Sequence, residues 1–564
     1  MSDLINKTKK YLNSKNYTKF DSSLKKLRKS DPKIADELYL MSLMQQGDIA
    51  ELEVSLDRYL EKYESVPYDN LVTAARLKVE KDQYDAAIKI LERAIKLEET
   101  NCEAAEVLFV ACLNSKQTSR ACAVNDLLIE FGGKTPRYLE WRVIAYTQLP
   151  DPEKALQAWE DFTELFRVTQ LLDYFPTLSC VLRAYASQGR ISEIDQLIKN
   201  YDLLSQDNID VRLALAEVDR AKGDVRSWAR SLSAISDENP QLTELRWNSS
   251  LALLSAGAVS EGLERYEARW EWENFPSPRR TSNIARWNGE GLEGQKLLIW
   301  SEQGVGDQLM FLVCLTKVLE KKPEKIVIEI HEKLIPFVNV WYPEIEAVGH
   351  GPLHIDKNEE KYSEFDFQIP SGSLPKLFLN TEEKIMNLPR RCLSVSDDKR
   401  RELLGQFVDN FDVIIGLCWR SSYVTDARKQ YYFSVDGAIS IIRDVPKNVG
   451  FLVLQYDLQP HEAEKFSKMS NVLICEGNLF DDVLLNGLYA GCCDLVVSAG
   501  TANLVVSGIF GRPILTWAEI DSWVYFGRKE NPWFNNVSAI RCDINWDIGS
   551  LISEIKRRLN VLLT

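Results

Sequence analysis

Gly189, Gly223 and Gly257 stand at a fixed spacing of 34 residues. A strict period of that length restricts a chain to stacked helix pairs, because one pair cannot bury its apolar face alone and must pack on the next. The frame repeats around each glycine. Tyr185 lies four residues before Gly189, and Ile191 and Ile194 follow at helix-packing positions. Gly223 is followed by Val225 and Trp228, and this unit closes at Asn239-Pro240, where proline cannot continue a helix. Trp247, Leu251 and Leu254 then lead into Gly257 and the segment EGLERYEARWEW.

Earlier units keep the style and lose the regularity. QYDAAIKILERAIKL (83–97) has Tyr84, Ala87 and Ala94 at the aromatic and small positions, PEKALQAW (152–159) is a second match, and Gly47 marks an earlier turn. The period and these positions point to a tetratricopeptide-like α-solenoid over residues 1–280, with a non-repetitive helical domain as the alternative. Its concave face would suit a protein or peptide partner. PSPRRTSNIARWNGEGLEG (276–294) breaks both periodicities and reads as a connector.

Beyond it the pattern changes. KLLIWSEQGVGDQLMFLVCLTKVLE (296–320) reads as strand, turn and helix; KIVIEIH (325–331) and FDFQIP (365–370) read as further strands. A second series follows: DVIIGLCWRS (412–421), GFLVLQYD (450–457), NVLICEG (471–477), DLVVSAG (494–500) and RPILTW (512–517). Short apolar runs alternating with helical segments predict parallel sheets, so the expected fold is α + α/β, with two sheet domains at 281–395 and 396–564. Ligands of such sheets sit outside the carboxyl ends of the strands. The two turns richest in small residues are therefore the candidate site. Gly304 and Gly306 precede Asp307 at a helix start, and Gly500, Thr501, Ala502 and Asn503 open another helix, where free N–H groups favour phosphate.

Charge and composition exclude several classes. A net charge of −15 argues against a nucleic-acid partner, which would demand a basic face. No apolar leader opens the chain and no run of about 18 apolar residues exists, so neither export nor a membrane span is expected. Eleven cysteines without C-x-x-C spacing suit a reduced, cytoplasmic location. Of four histidines, His350 and His354 are four apart, but Gly351 and Pro352 between them break a helical zinc pair. No Asp-x-Asp for a metal–nucleotide complex is present, so no metal and no cofactor is expected.

WSEQGVGDQLMF, IIGLCWRSS, FLVLQYD and DLVVSAGTANLVVSGIFGRPILTW, in this order after EGLERYEARWEW, resemble tetratricopeptide-linked bacterial GT-B glycosyltransferases. These are related to heptosyltransferases and more distantly to O-GlcNAc transferases, and the resemblance covers residues from about 250 to 540. It implies a GT-B pair of Rossmann-like domains and metal-independent, inverting sugar transfer from a nucleotide sugar. Asp307 would take the acceptor proton, with helix capping as its other role. Arg420, after Trp419, would clamp phosphate, with Arg428 and Lys429 assisting or simply solvated. Gln455 and Tyr456 would lie near the nucleoside, and Asp482 begins the next helix, where it could merely cap. Many relatives carry Asp at the position of Gly500 and His at that of Val505. Their replacement removes a cationic donor and is compatible with a monophosphate donor such as a CMP-nonulosonic acid (pseudaminic or legionaminic), or with lost activity. The resemblance implies a protein acceptor held by the repeats, flagellin Ser/Thr first. Alternatives are a UDP-sugar O-GlcNAc-like reaction, transfer onto lipopolysaccharide, and a non-catalytic scaffold.

Overall fold

The computed structural model describes residues 2–149, 152–165, 175–200, 202–205, 207–422, 424, 431–542 and 546–563. Two compact units are separated between Ala184 and Tyr185.

The helical array keeps its period better than its sequence suggests. First helices of successive pairs begin at Tyr68, Cys102 and Pro136, each 34 residues after the last, and second helices at Tyr84, Thr118 and Pro152. A second run begins its pairs at Phe175, Ile209 and Thr243, with second helices at Ile191, Val225 and Val259. Between the runs the register slips by five residues. The turn is left-handed in five of these six pairs: Gly189, Gly223 and Gly257 have φ of 64°, 81° and 82°, and Asp82 and Lys116 hold 58° and 62° at the same place; the turn between the helices that begin at Pro136 and Pro152 lies partly outside the described residues. The earlier units looked degenerate because residues with a Cβ occupy a conformation that favours glycine, at a cost of roughly 1–2 kcal/mol each. Small residues, Ala87, Ala94, Ala104, Ala111 and Ala121, are wholly buried where neighbouring helices meet. Tyr68 Oη accepts the Ala104 N–H at 2.9 Å, tying one pair to the next.

The second unit holds the later repeats, a short parallel pairing of Thr281–Ser282 with His354–Ile355, and two larger parallel sheets. In the first sheet are β1 (Ala285–Arg286), β2 (Lys296–Trp300), β3 (Lys325–Ile330), β4 (Glu346–Gly349) and β5 (Phe367–Pro370), in the order β1-β5-β2-β3-β4. The second contains β6 (Val413–Cys418), β7 (Val449–Val453), β8 (Val472–Ile474), β9 (Leu495–Ser498), β10 (Ile514–Glu519) and β11 (Val537–Cys542), in the order β8-β7-β6-β9-β10-β11. That is the doubly wound Rossmann order 3-2-1-4-5-6. The expected helical array followed by two Rossmann-like halves is what the chain forms. The segment 276–294 is more than a connector, since β1 pairs with β5 through Ala285–Phe367 and Arg286–Gln368.

The compact-unit boundary falls inside the array and not near residue 280, because the last repeat is built into the sheets. One apolar core contains Trp247, Leu254, Leu263 and Tyr266 of that repeat, Leu297, Ile299 and Ile328 of the first sheet, and Val505, Ile509 and Phe510 beside the second. A Cβ on Gly527 would lie 2.6 Å from the backbone nitrogen of Gly257, so the third glycine of the series also seats the repeat on the second half.

Candidate functional site

In a doubly wound sheet the ligand crevice opens where the chain leaves adjacent strands toward opposite faces. This unit has two such places, one per sheet, and they are differently furnished.

In the first sheet the crevice lies past β2 and β5, whose Trp300 and Pro370 are register partners. Two residues on, Glu302 approaches Gly372 so closely that any Cβ there would collide with its carboxylate. The space is filled by Arg269 of the last repeat. Its Nε donates to both Glu302 oxygens at 3.1 Å, and Nη2 donates to Glu302 at 2.8 Å and to Ser373 Oγ at 2.9 Å. Nη1 donates to Glu267 at 2.9 Å, and Arg286 Nη2 donates to that same carboxylate at 2.6 Å. Burial pushes the Glu302 carboxyl up against the attraction of Arg269, and Glu302 and Glu267 keep the guanidinium charged. Glu267 is lowered on balance, Arg269 and Arg286 outweighing its burial. With both Arg269 and Glu302 inaccessible, this crevice is occupied by the protein itself.

The second crevice lies past β6 and β9. Cys418 Sγ is 4.0 Å from Thr501 Oγ1 across it. Thr501 caps α2 (Ala502–Ile509) by accepting the Asn503 N–H at 3.3 Å. Among the described residues, neither the Gly500 nor the Ala502 N–H is given to a carbonyl or side chain. Gly500 is exposed, and nothing lies within 4 Å of where its Cβ would be. The turn thus has two backbone donors without a described partner at a helix start, with open space at Gly500, the geometry that receives an anion.

The two halves meet at this turn. A Cβ on Gly306, in α1 (Val305–Phe311), would lie 3.1 Å from Ala502 Cα and 3.4 Å from its nitrogen. Glycine is required there for close approach, and it brings the Asp307 turn against the Thr501 turn. Asp307 is half-buried, and its Oδ2 accepts the Gly304 N–H at 3.2 Å, a capping contact within its own turn.

Several expected ligand contacts are instead committed to the fold. Trp419 is fully buried in the second-half core, with its ring 5.5 Å from Phe466; one residue past β6, its side chain turns inward. Gln455 Oε1 accepts the N–H groups of Trp419 and Arg420 at 3.1 Å each, and its Nε2 donates to Arg420 O and Asp457. Its side chain therefore shapes the end of β6. Asn503 Nδ2 donates to Leu454 O at 3.0 Å and its Oδ1 accepts from Ser507, so its side chain braces the turn from beneath. Arg420 is gripped by Asp457 and, at 2.7 Å, by Glu462. That pairing outweighs the burial that opposes its charge. Asp482 caps a helix by accepting the Leu485 N–H at 2.8 Å. Tyr456 stays on the rim, its ring 6.0 Å from the exposed Phe480, over which Lys333 of the first half lies. Val505 packs in the apolar core. Arg428 and Lys429 lie outside the described residues.

Arg269, Glu302, Tyr266 and Gln303 escaped the sequence reading. Their signal was the joint presence of RYEARW and WSEQGVGD, which the fold explains as two segments gripping each other. Among the described residues no cluster of three metal-ligating side chains occurs, and no helix is long and apolar enough to cross a membrane.

No family model matches the chain. Protein FlbA of Caulobacter vibrioides is 27% identical over 359 residues, covering 60% of this chain and 57% of that protein, so the match spans little more than half of the relative. Among solved structures, the E. coli ADP-heptose lipopolysaccharide heptosyltransferase II aligns over 48% of this chain and 98% of its own, with 14% identity and a TM-score of 0.33. A tetratricopeptide repeat protein from Parabacteroides merdae aligns over 43% of this chain and 96% of its own, with 13% identity and a TM-score of 0.29. The two Rossmann-like halves are defined by their own strand order.

Proposed function

We propose that the chain is a GT-B glycosyltransferase that moves a sugar from a nucleotide donor onto a hydroxyl of a protein acceptor. The observation that carries this reading is the apposition of two turns, with Asp307 on one and, on the other, the exposed Gly500 and the N–H groups of Gly500 and Ala502 that no described carbonyl or side chain accepts. Inverting transfer asks for those two functions side by side, a base for the acceptor proton and stabilisation for the departing phosphate. The nucleotide belongs to the second crevice, since Arg269 already fills the first. Donor phosphate would rest on the Gly500 and Ala502 N–H groups and the Thr501 hydroxyl, with the nucleoside toward Tyr456 and Phe480. Arg420 joins in only if it releases a carboxylate. With no His at Val505 and no Asp at Gly500, a monophosphate leaving group suits the site best, and a CMP-nonulosonic acid with a cytoplasmic flagellin-type Ser/Thr acceptor is the leading pair.

Calorimetric titration of the full chain with CMP, UDP, GDP and ADP, without divalent metal, tests the donor. Tightest binding of CMP is expected. Tight UDP binding with indifferent CMP moves the reading to a UDP-sugar enzyme. Intact-mass measurement of a co-expressed flagellin in cells making the nonulosonic donor tests the acceptor. Transfer onto lipopolysaccharide alone removes the protein acceptor. The replacements at Gly500 and Val505 also favour a second reading, a scaffold without turnover, and a folded chain that binds no nucleotide would establish it.

A further inference from the structure

Immediately before the Asp307 turn stands Gln303, with a φ of +65°. A side chain other than glycine holds this left-handed conformation only where its surroundings impose it. Three hydrogen bonds do so here. The Gln303 N–H donates to Ser277 Oγ at 2.6 Å, its Nε2 donates to Tyr266 Oη at 2.7 Å, and its carbonyl accepts from Gln308 Nε2 at 3.0 Å. Only the last comes from the same Rossmann half. Tyr266 belongs to the last helical repeat and Ser277 to the segment after it. The repeat grips the preceding residue as well, through Arg269 on Glu302. Tyr266 itself is fixed by rings, 4.7 Å from Trp247 and 5.8 Å from Trp523. A rigid anchor in the repeat is therefore joined to a strained residue, and the next residue, Gly304, is already bonded to the Asp307 carboxylate.

We propose that Gln303 is a positioning residue through which the last helical repeat sets the place of the Asp307 carboxylate. The repeat is then part of the active site's framework as well as of the acceptor-binding array. This rests on the reading of Asp307 as the base, and the tether itself can be tested without that reading.

Two variants of the full chain separate the roles. Gln303→Gly accepts the left-handed φ without strain and loses the side-chain tether. Tyr266→Phe keeps the packed ring and loses only the hydroxyl. Hydrogen exchange of the 304–309 amides reads the tether directly, and it is expected to rise about tenfold in both variants while the thermal midpoint moves little. Transfer from a CMP-nonulosonic donor, followed by intact mass, reads the consequence. Here kcat is expected to fall about ten- to a hundredfold with the donor KM unchanged, because the displaced carboxylate is misplaced only for the chemical step. The double variant should be no worse than Gln303→Gly alone. Unchanged exchange in both variants, or raised exchange with wild-type kcat, would overturn the proposal. Asp307→Asn with wild-type turnover would instead defeat the base assignment, while the exchange arm would still report on the tether.

Discussion

The Arg420 guanidinium divides two accounts of the nucleotide site, and Arg420→Met tells them apart. In the structure it lies between Asp457 and Glu462, with side chains 16%, 17% and 7% exposed, so one cation faces two carboxylates. Its removal leaves both carboxylates facing each other without compensation. Breaking a fully buried pair costs about 3–5 kcal/mol, and the residual exposure here argues for roughly 2–4. For a cooperative unit running from Tyr185 to Thr564, an unfolding entropy near 2.1 cal/mol/K per residue converts this into a drop of about 3–5 °C. Scanning calorimetry of the full chain reads that shift. Nucleotide titration well below the midpoint should show affinity reduced by no more than about threefold, since the amides of the Gly500 turn carry the anion. An unchanged midpoint with nucleotide affinity reduced ten- to a hundredfold, the scale of a lost charge-assisted contact, would refute this reasoning and make Arg420 the clamp.

Asp307→Asn should lower transfer by about two to four orders of magnitude while leaving the fold and nucleotide affinity intact, because asparagine can still accept the Gly304 N–H. Single-turnover transfer beside calorimetry checks this, and near wild-type transfer would return Asp307 to capping alone. Gly223→Ala should destabilise its repeat by about 1 kcal/mol or more at φ 81°, whereas Lys116→Gly should be neutral or mildly stabilising, by thermal melts of the full chain. Glu329 is buried and would be raised by that burial, but Arg280, Tyr362 and Lys361 hold its carboxyl below the usual value. The unfolded chain therefore binds the proton more readily, so this contribution is complete above the ordinary Glu value of about 4.3 and is lost as pH falls through the lowered one. The melting temperature should decline across that window, and a Glu329→Gln variant should show a shallower slope once its lower starting stability is taken into account.

The architecture was legible because it rests on periodicities. Apolar runs such as LLIW and VIIGLC became β2 and β6, and the glycine series became left-handed turns. Strand β4 was overlooked because Glu346–Gly349 is short and carries no buried residue, so its sequence lacks a strand signal. Asp82 and Lys116 hid two turns because the period lives in the backbone, which glycine reveals only when glycine is present. The site was less readable for a different reason. At a strand's carboxyl end a side chain turns either into the crevice or into the core, and Trp419, Gln455 and Asn503 are all spent on the fold. Composition cannot distinguish these outcomes. Nor could spacing reveal that Arg269, 33 residues before Glu302, would fill the first crevice.

The contact between Gly257 and Gly527 has a consequence for how such a chain can vary in length. Repeat arrays lengthen and shorten by duplication or loss of whole units. Here the final unit is held on three sides, by Gly527, by Glu302 through Arg269 and by Gln303 through Tyr266. A unit inserted after Gly257 would pull all three apart, while one gained or lost well ahead of it would disturb none. Relatives should therefore differ in the number of repeats at the front of the array and agree on the last one, and a front-end change would alter what is gripped without altering what is transferred.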